Sequence, residues 1–442
     1  MKSFLNWLDD RTGHRAILSA LLDEKLPPGT RWAFTLGSVL LVTLSLQFVT
    51  GVLLGLYYAP TPDHAWDSVM YISTQVRAGA FLRGLHHWGS SVIVVASILH
   101  LSRVVYFGSY KKPREANWIV GLLLLQVILA FGLTGYLLPW DQRAYWATTV
   151  TINIAKLTPV AGDFLSALMR GGGEIGALTL TRWYAVHVLV LPVALVGLTI
   201  VHLYLMRRHH ISGPVTPQHG PSEKFFPHQA ARDLAMAVLV GVLLATLAWK
   251  MSPTLEAPAD PSSSDYIPRP EWYFLGLFQL LKYFPGKLEV IGALVVPGAV
   301  ITLLALLPWI DRGPSRRWRD RPVVLAAFTG GLAAAIALTV LGAKDRPEPA
   351  AAQSLWASGV APADATAVKL VTRECLKCHT ISGTGGKEGP ELKNIAAKYD
   401  LARLQQRISD PAVLMPDAEM PPFKDTLTPD EIQAVAKWLI RK

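Results

Sequence analysis

The sequence predicts an all-α membrane protein of seven transmembrane helices, followed by a small all-α domain at its C-terminal end. Three observations lead there. Of 442 residues, 51% are hydrophobic and only 17% charged, with a mean hydropathy of +0.32, a balance foreign to water-soluble chains. Long runs carry no Asp, Glu, Lys or Arg. The only two cysteines, Cys375 and Cys378, stand close together near the end of the chain, which excludes a disulfide framework and any four-cysteine iron–sulfur or zinc site supplied by this chain alone. The net charge of +10 fits loops held at a cytoplasmic face better than a nucleic-acid footprint, so no nucleic-acid partner is expected.

Residues 1–31 mix acids and bases through short apolar stretches without a small-residue cleavage site. They read as an amphipathic helix on the cytoplasmic surface, not as a signal peptide. A bilayer core needs about 20 apolar residues per helix, and charge-free runs at 32–58, 116–140, 183–206, 290–310 and 322–343 supply five spans. Residues 85–102 are also charge-free but hold histidines, and 234–249 reach spanning length only if the helix extends toward Ala230. The aromatic run 272–281 is too short to cross and reads as a surface or re-entrant helix buried against protein.

Seven crossings put the termini on opposite sides. Loops on the N-terminal side hold 18 Lys and Arg in 82 residues, and those opposite hold 10 in 108. The positive-inside rule therefore places the N-terminus in the cytoplasm. The tail then lies outside, beyond a Pro/Ala-rich linker at 344–364.

In that tail, Cys375-Leu376-Lys377-Cys378-His379 has the spacing that attaches haem c, through two thioethers with the adjacent histidine as axial ligand. The topology independently puts it on the side of the membrane where haem c is attached. Met420, in Met420-Pro421-Pro422-Phe423, is the expected sixth ligand and Met415 the alternative. With Gly389-Pro390 and a final helix at 429–441, residues 365–442 read as a single-haem cytochrome c domain. His/Met ligation favours a high potential, so this haem should accept electrons.

Ionisable residues inside spans are expensive and mark function. His86 and His100 are 14 residues apart, and His187 and His202 are 15 apart. At 3.6 residues per turn these are about 3.9 and 4.2 turns, so each pair shares a face, separated by about 21 to 23 Å along its helix. Two helices carrying such pairs can clamp two b haems, one above the other. Gly37 and Gly51, and Gly121 and Gly135, repeat the 14-residue interval on two further spans, where a missing side chain lets backbone approach a porphyrin. A four-helix dihaem bundle over 32–215 follows. Arg83, Arg103, Lys111 and Arg114 stand at helix ends, where they can meet haem propionates or simply snorkel.

These residues complete a set of motifs: R-x-x-H-x-x-G from Arg83 to Gly89, G-Y-x-L-P-W from Gly135 to Trp140, and P-E-W-Y from Pro270 to Tyr273. Through them, residues 1–345 resemble the cytochrome b of the quinol-oxidising cytochrome bc complexes. The 15-residue interval, Trp140-Asp141-Gln142, Ile211-Ser212-Gly213-Pro214 and the count of seven helices are similar to the photosynthetic branch, where the same unit is split into two chains. Here 32–215 and a three-helix part at 216–343 are joined. That branch carries a cysteine where this chain has Thr35, so no covalent third haem in the membrane is expected.

The resemblance implies that His86 with His187 hold the outer haem and His100 with His202 the inner one. It implies Glu271 as the proton acceptor of quinol oxidation, framed by Pro270, Trp272 and Tyr273, with Tyr136, Pro139, Trp140, Tyr145 and Trp146 as an aromatic wall. It further implies electron bifurcation, a homodimer in the cytoplasmic membrane of a bacterium among its lipids, and a downstream cytochrome c or other electron acceptor. A Rieske iron–sulfur partner is needed because no cysteines remain here for its cluster. For the cytoplasmic-side quinone site only Arg207, Lys224 and the N-terminal segment offer themselves. Two rival classes are a linear dihaem cytochrome b without bifurcation, and a transporter with a haem-bearing tail. The transporter would need broken helices and midplane polar groups, which the spans do not carry.

Overall fold

The computed structural model describes residues 2–216, 221–262, 266, 268–344, 364–381, 384–386, 389–415 and 420–441. Residues 345–363, which hold nearly all of the expected linker, lie outside them. Among the described residues seven helices are long and apolar enough to cross a membrane: Leu36–Gly55, Gly79–Tyr106, Glu115–Tyr136, Ala177–His209, Phe225–Lys250, Gly286–Ile310 and Pro322–Lys344. The count matches the sequence reading, and five of these helices start earlier than the runs read from the sequence. The fourth begins at Ala177 because Thr179 accepts a hydrogen bond from the Gly176 amide at 3.0 Å, capping a turn that carries Arg182 outside the apolar stretch.

Side-by-side packing sets the frame of the site. The first span lies along the second, the third along the fourth, and the fifth against the first and second. Small residues allow the close approach on which helix contacts in lipid rely: a Cβ on Gly84 of the second span would sit 2.9 Å from Cα of Ala248 on the fifth. The aromatic run forms a 3-10 turn, Trp272–Phe274, and a short helix, Leu275–Leu281, which packs on the seventh span. There a Cβ on Gly342 would fall 2.8 Å from the Leu275 carbonyl oxygen.

The N-terminal segment is two helices, Lys2–Thr12 and His14–Leu22, and not one. Gly13 divides them in a left-handed conformation, φ 61°, which only glycine adopts without strain. The chain then pairs Lys25–Leu26 antiparallel with Glu223–Lys224. Arg207 pairs with Glu24, and Lys224 Nζ lies 2.7 Å from Asp23 Oδ1. Both basic residues named for a cytoplasmic-side quinone site are thus engaged by the N-terminal segment.

At the same end, Asp311 collects Tyr110 Oη at 2.5 Å, Lys111 Nζ at 2.7 Å and Arg321 Nε at 2.7 Å. Lys111 also donates to the carbonyls of Asp311 and Gly313 at 3.1 and 2.6 Å, so its three donors are all in use. Arg114 caps the fourth span, donating to the carbonyl of His209 at 2.8 Å.

The C-terminal domain packs the helices Ala365–Leu370, Leu401–Ser409 and Pro429–Ile440 around Val368, Val371, Ile408, Val435 and Trp438. Thr428 and Glu431 close a reciprocal cap on the last helix, the arrangement that satisfies two orphan amides at once. Its apolar cluster takes in Trp66 and Ala257 from the membrane part, and Lys369 Nζ lies 3.0 Å from Asp67 Oδ1.

Candidate functional site

The four span histidines meet as His86 with His187 and His100 with His202, the pairs the resemblance implies. The His86 and His187 rings have centroids 6.4 Å apart, and His100 and His202 6.5 Å, leaving a gap for one metal ion between each pair. Every one of the four glycines backs one of these rings. A Cβ on Gly51 would stand 3.2 Å from His86 Cε1 and one on Gly135 2.8 Å from His187 Cε1. The corresponding distances are 3.7 Å from Gly37 to His100 Cε1 and 3.3 Å from Gly121 to His202 Cε1.

Two threonines, passed over in the sequence, fix the tautomer at one level. Thr50 Oγ1 lies 2.9 Å from His86 Nδ1 and gives its own proton to the Leu46 carbonyl at 2.8 Å. Thr134 Oγ1 lies 2.8 Å from His187 Nδ1 and donates to Ala130 at 2.8 Å. A hydroxyl has one proton, so each must accept from an imidazole Nδ1–H. Both Nε2 atoms are then lone-pair donors, as metal ligands have to be. The legible signal was the repeated dipeptide: Thr50-Gly51 and Thr134-Gly135 occupy equivalent places. Gly89, the last residue of the first motif, lies against Gln47, whose Nε2 reaches the His86 carbonyl at 2.8 Å.

The arginines divide. Arg103 stacks on Phe34 at 4.1 Å and Phe107 at 5.1 Å, while its buried Nε and Nη2 have no hydrogen-bond partner. An orphaned buried cation beside the His100 level suits a haem propionate. Arg83 instead donates to the Pro253 and Thr254 carbonyls at 3.0 and 3.1 Å, tying the second span to the loop after the fifth. Glycine cradle, ligand tautomers and orphaned arginine together fit haem.

In the C-terminal domain, the amides of Cys378 and His379 bond the Cys375 carbonyl at 3.2 and 2.9 Å, so the motif is wound into one turn with its three functional side chains close together. His379 Nδ1–H donates to the Pro390 carbonyl at 2.7 Å, leaving Nε2 as the donor. A Cβ on Gly389 would stand 2.5 Å from the ring. Burial, then Glu374 and Cys378, push the Cys375 thiol up to about 12. Met420 is partly buried and Met415 is half exposed.

At the His86/His187 end, the P-E-W-Y residues lie on the bundle. Tyr273 packs on Gly132, one turn before Gly135, and Trp272 Nε1 donates to Ser91 Oγ at 3.0 Å. Glu271 is held by a residue that sequence reasoning missed: Arg143 Nη1 lies 3.0 Å from Glu271 Oε1, and Arg143 Nε 3.1 Å from Glu256 Oε1. Tyr266 Oη donates to Glu256 Oε2 at 2.9 Å, and Asp141 accepts from the Glu256 amide at 3.1 Å. Burial raises both the Glu256 and Asp141 carboxyls above the usual range, against the pull of Arg143. Desolvation works against the charge of Arg143, but Glu256, Glu271 and Asp141 outweigh it and make the guanidinium more basic still. His87, next to His86 on the second span, belongs to this group, within electrostatic reach of Glu271, Arg83 and Arg143. The aromatic wall is present in part, with Tyr136 against Phe274 at 6.4 Å and Trp146 stacked on Tyr266 at 6.4 Å.

Known families match along the chain: Cytochrome b/b6/petB over residues 21–210, Cytochrome b(C-terminal)/b6/petD over 258–360 and Cytochrome c over 365–440. The chain is 33% identical to the cytochrome b of Rickettsia conorii, across 78% of its own length and 88% of the relative's. It is 40% identical to the menaquinol:cytochrome c reductase cytochrome b subunit of Bacillus subtilis, all of which aligns with 49% of this chain. Among solved structures it is similar to a hyperthermophilic respiratory Complex III chain, with a TM-score of 0.70 and 29% identity over 83% of this chain and 97% of that one. The chain belongs to the cytochrome b family, carries both parts of that protein in one polypeptide, and continues into a cytochrome c domain.

Proposed function

We propose that this cytochrome b subunit of a bc-type quinol:cytochrome c reductase oxidises quinol at the outer membrane face, sending one electron to a Rieske protein and the c haem and the other across the b haems. The observation that carries the reading is the conjunction of two histidine levels, each backed by a glycine pair, with Glu271 at one end of the same bundle. In it His86 with His187 and His100 with His202 hold two b haems, and Cys375, Cys378, His379 and Met420 hold one c haem. Bound there, the haems would supply single-electron carriers.

The chain's own residues do the proton chemistry. A quinol O–H breaks as an electron leaves, and the carboxylate of Glu271 takes the proton. Pro270, Trp272 and Tyr273 frame it, and Glu271 caps the 3-10 turn Trp272–Phe274 that leads into the short helix. Arg103 would hold a propionate of the inner haem. The N-terminus is cytoplasmic and the c domain external in a bacterial inner membrane, with 365–442 as a separate domain beyond a linker. A Rieske subunit, a second copy of the chain, membrane lipid and a downstream acceptor are the partners.

The test is an oxidant pulse on the purified complex, given quinol and with the cytoplasmic-side quinone site blocked. Bifurcation requires the b haems to become more reduced while the c haem is oxidised. If both oxidise together, the chain is a linear quinol-to-cytochrome wire.

A further inference from the structure

The outer cluster contains a residue that the P-E-W-Y motif does not account for. Arg143 is the second residue of the helix Gln142–Lys156, which begins just after Trp140, with its side chain 32% exposed and those of Glu256 and Glu271 only 15%. Its planar fork offers donors in fixed directions, and two of them are used on different acids, Nη1 on Glu271 and Nε on Glu256. The support continues behind it, since Glu256 is itself held by Tyr266 through the second carboxylate oxygen at 2.9 Å. Tyr266 thus anchors Glu256, Glu256 orients Arg143, and Arg143 reaches Glu271. The other titratable and charged groups facing this chain are Asp141, Arg83, His87, Tyr136 and Tyr273.

We propose that Arg143 is a positioning residue that latches Glu271 in its ionised state and releases it when it carries a proton. The inference rests on Glu271 being the acceptor of the quinol proton. When the quinol O–H breaks and an O–H forms on Glu271, the carboxyl becomes neutral and the attraction to the guanidinium is lost. Arg143 keeps its own proton and its hold on Glu256. Discharge of the proton to water returns a carboxylate, which the guanidinium draws back to the starting position. The side chain's excursion is tied to its charge, and Glu256 matters by dividing the guanidinium between two acids.

Two substitutions move the acid limb of the rate profile in opposite directions, which loss of packing alone does not do. Arg143→Gln removes a cation 3.0 Å from the acceptor, so quinol oxidation by the intact complex falls roughly tenfold to a hundredfold and its acid limb moves up by about one pH unit or more. Glu256→Gln gives Glu271 the whole guanidinium, so the limb moves down. Arg143→Lys recovers part of the rate, because an ammonium supplies the charge but not the two-pronged grip. A limb that stays in place in Arg143→Gln, or moves the same way in both variants, overturns the latch while Glu271→Gln remains slow. If Glu271→Gln oxidises quinol at the wild-type rate, the reading of the acceptor itself fails, and the latch with it. Should Arg143→Gln lose its b-haem bands, Glu256→Gln decides alone, and a limb that does not move down overturns the proposal.

Discussion

Adding one methyl group to each cradle glycine should cost haem in the order of the space available. A Cβ lands 2.8 Å from a histidine ring carbon at Gly135, 3.2 Å at Gly51, 3.3 Å at Gly121 and 3.7 Å at Gly37. The last is ordinary contact. The first demands movement, and the His187 ring cannot swing freely because Thr134 holds its Nδ1 at 2.8 Å. Overpacking of this kind costs about 1–3 kcal/mol, or about 5- to 150-fold in an equilibrium, with Gly135→Ala at the upper end and Gly37→Ala near zero. The assay is the ratio of b to c haem in purified complex, scored by their separate bands, with the covalent haem as internal standard. Wild type should give two b per c. Under limiting haem or mild denaturant, Gly135→Ala should approach one b per c, Gly51→Ala should lose the same haem less completely, and Gly121→Ala should lose the other. If Gly37→Ala loses as much as Gly135→Ala, or Gly135→Ala keeps both, these glycines are not the walls of a haem cage.

Asp311→Asn leaves Lys111 and Arg321 buried without their counter-charge and should destabilise the membrane part by about 3 kcal/mol, the low end for breaking a buried pair, read as thermal loss of the b bands. Burial tends to raise the Asp311 carboxyl, but bonds from Lys111, Tyr110 and Arg321 hold it below its ordinary 3.8. Its stabilisation is therefore present above that value and lost as pH falls through the lower folded one, so wild type and variant should converge in strong acid. Met420→Ala should abolish the far-red methionine–iron band of the c haem, and Met415→Ala should keep it; the reverse result would exchange the two ligands. Thr134→Val removes the acceptor that sets the His187 tautomer and should weaken retention of the outer b haem by about 10- to 100-fold with the inner haem unchanged, as followed by competition with apomyoglobin.

Periodicity made the bundle readable. Histidines and glycines repeating at 14 or 15 residues return to one face of a helix whatever lies between them, so His86 with His100, His187 with His202 and each glycine pair could be assigned to a shared face before any packing was known. The seven spans followed from composition for the same reason: lipid imposes one rule along the whole length of a helix. What stayed hidden depends on chain segments far apart in sequence. Arg143 and Glu256 are separated by 113 positions, and nothing in the run Gln142-Arg143-Ala144 says that a loop after the fifth span will deliver a second acid to it. Lys111 looked like a snorkelling or propionate-binding cation because its partner Asp311 is 200 residues away. The break in the N-terminal helix was locally legible, since Gly13 stands between two apolar stretches, but helix amphipathicity alone does not register a left-handed residue.

The two ionic clusters at opposite ends of the bundle use similar groups to opposite effect, and the charge balance explains why. At Asp311 one acid faces Lys111 and Arg321, with the Arg321 side chain 1% exposed. Cations are in excess and the carboxylate is stabilised as an anion down into acid, so the cluster fastens loops together. Around Arg143 the excess is reversed: Asp141, Glu256 and Glu271 all face its guanidinium, Arg83 adds a second cation only near Asp141, and burial raises two of the three carboxyls. A cation divided among several acids cannot hold all of them as firmly, so one can take a proton at modest cost without the cluster losing its cation. That condition is what quinol oxidation imposes, because the acceptor must be charged before the reaction, neutral after it and charged again for the next. An additional lysine or arginine placed beside Glu271 should therefore slow turnover by over-stabilising the anion, even while it strengthens the fold. Such a variant, examined for thermal stability and for quinol oxidation in the same preparation, should show the two properties moving apart, and parallel changes in both would contradict the argument from charge balance.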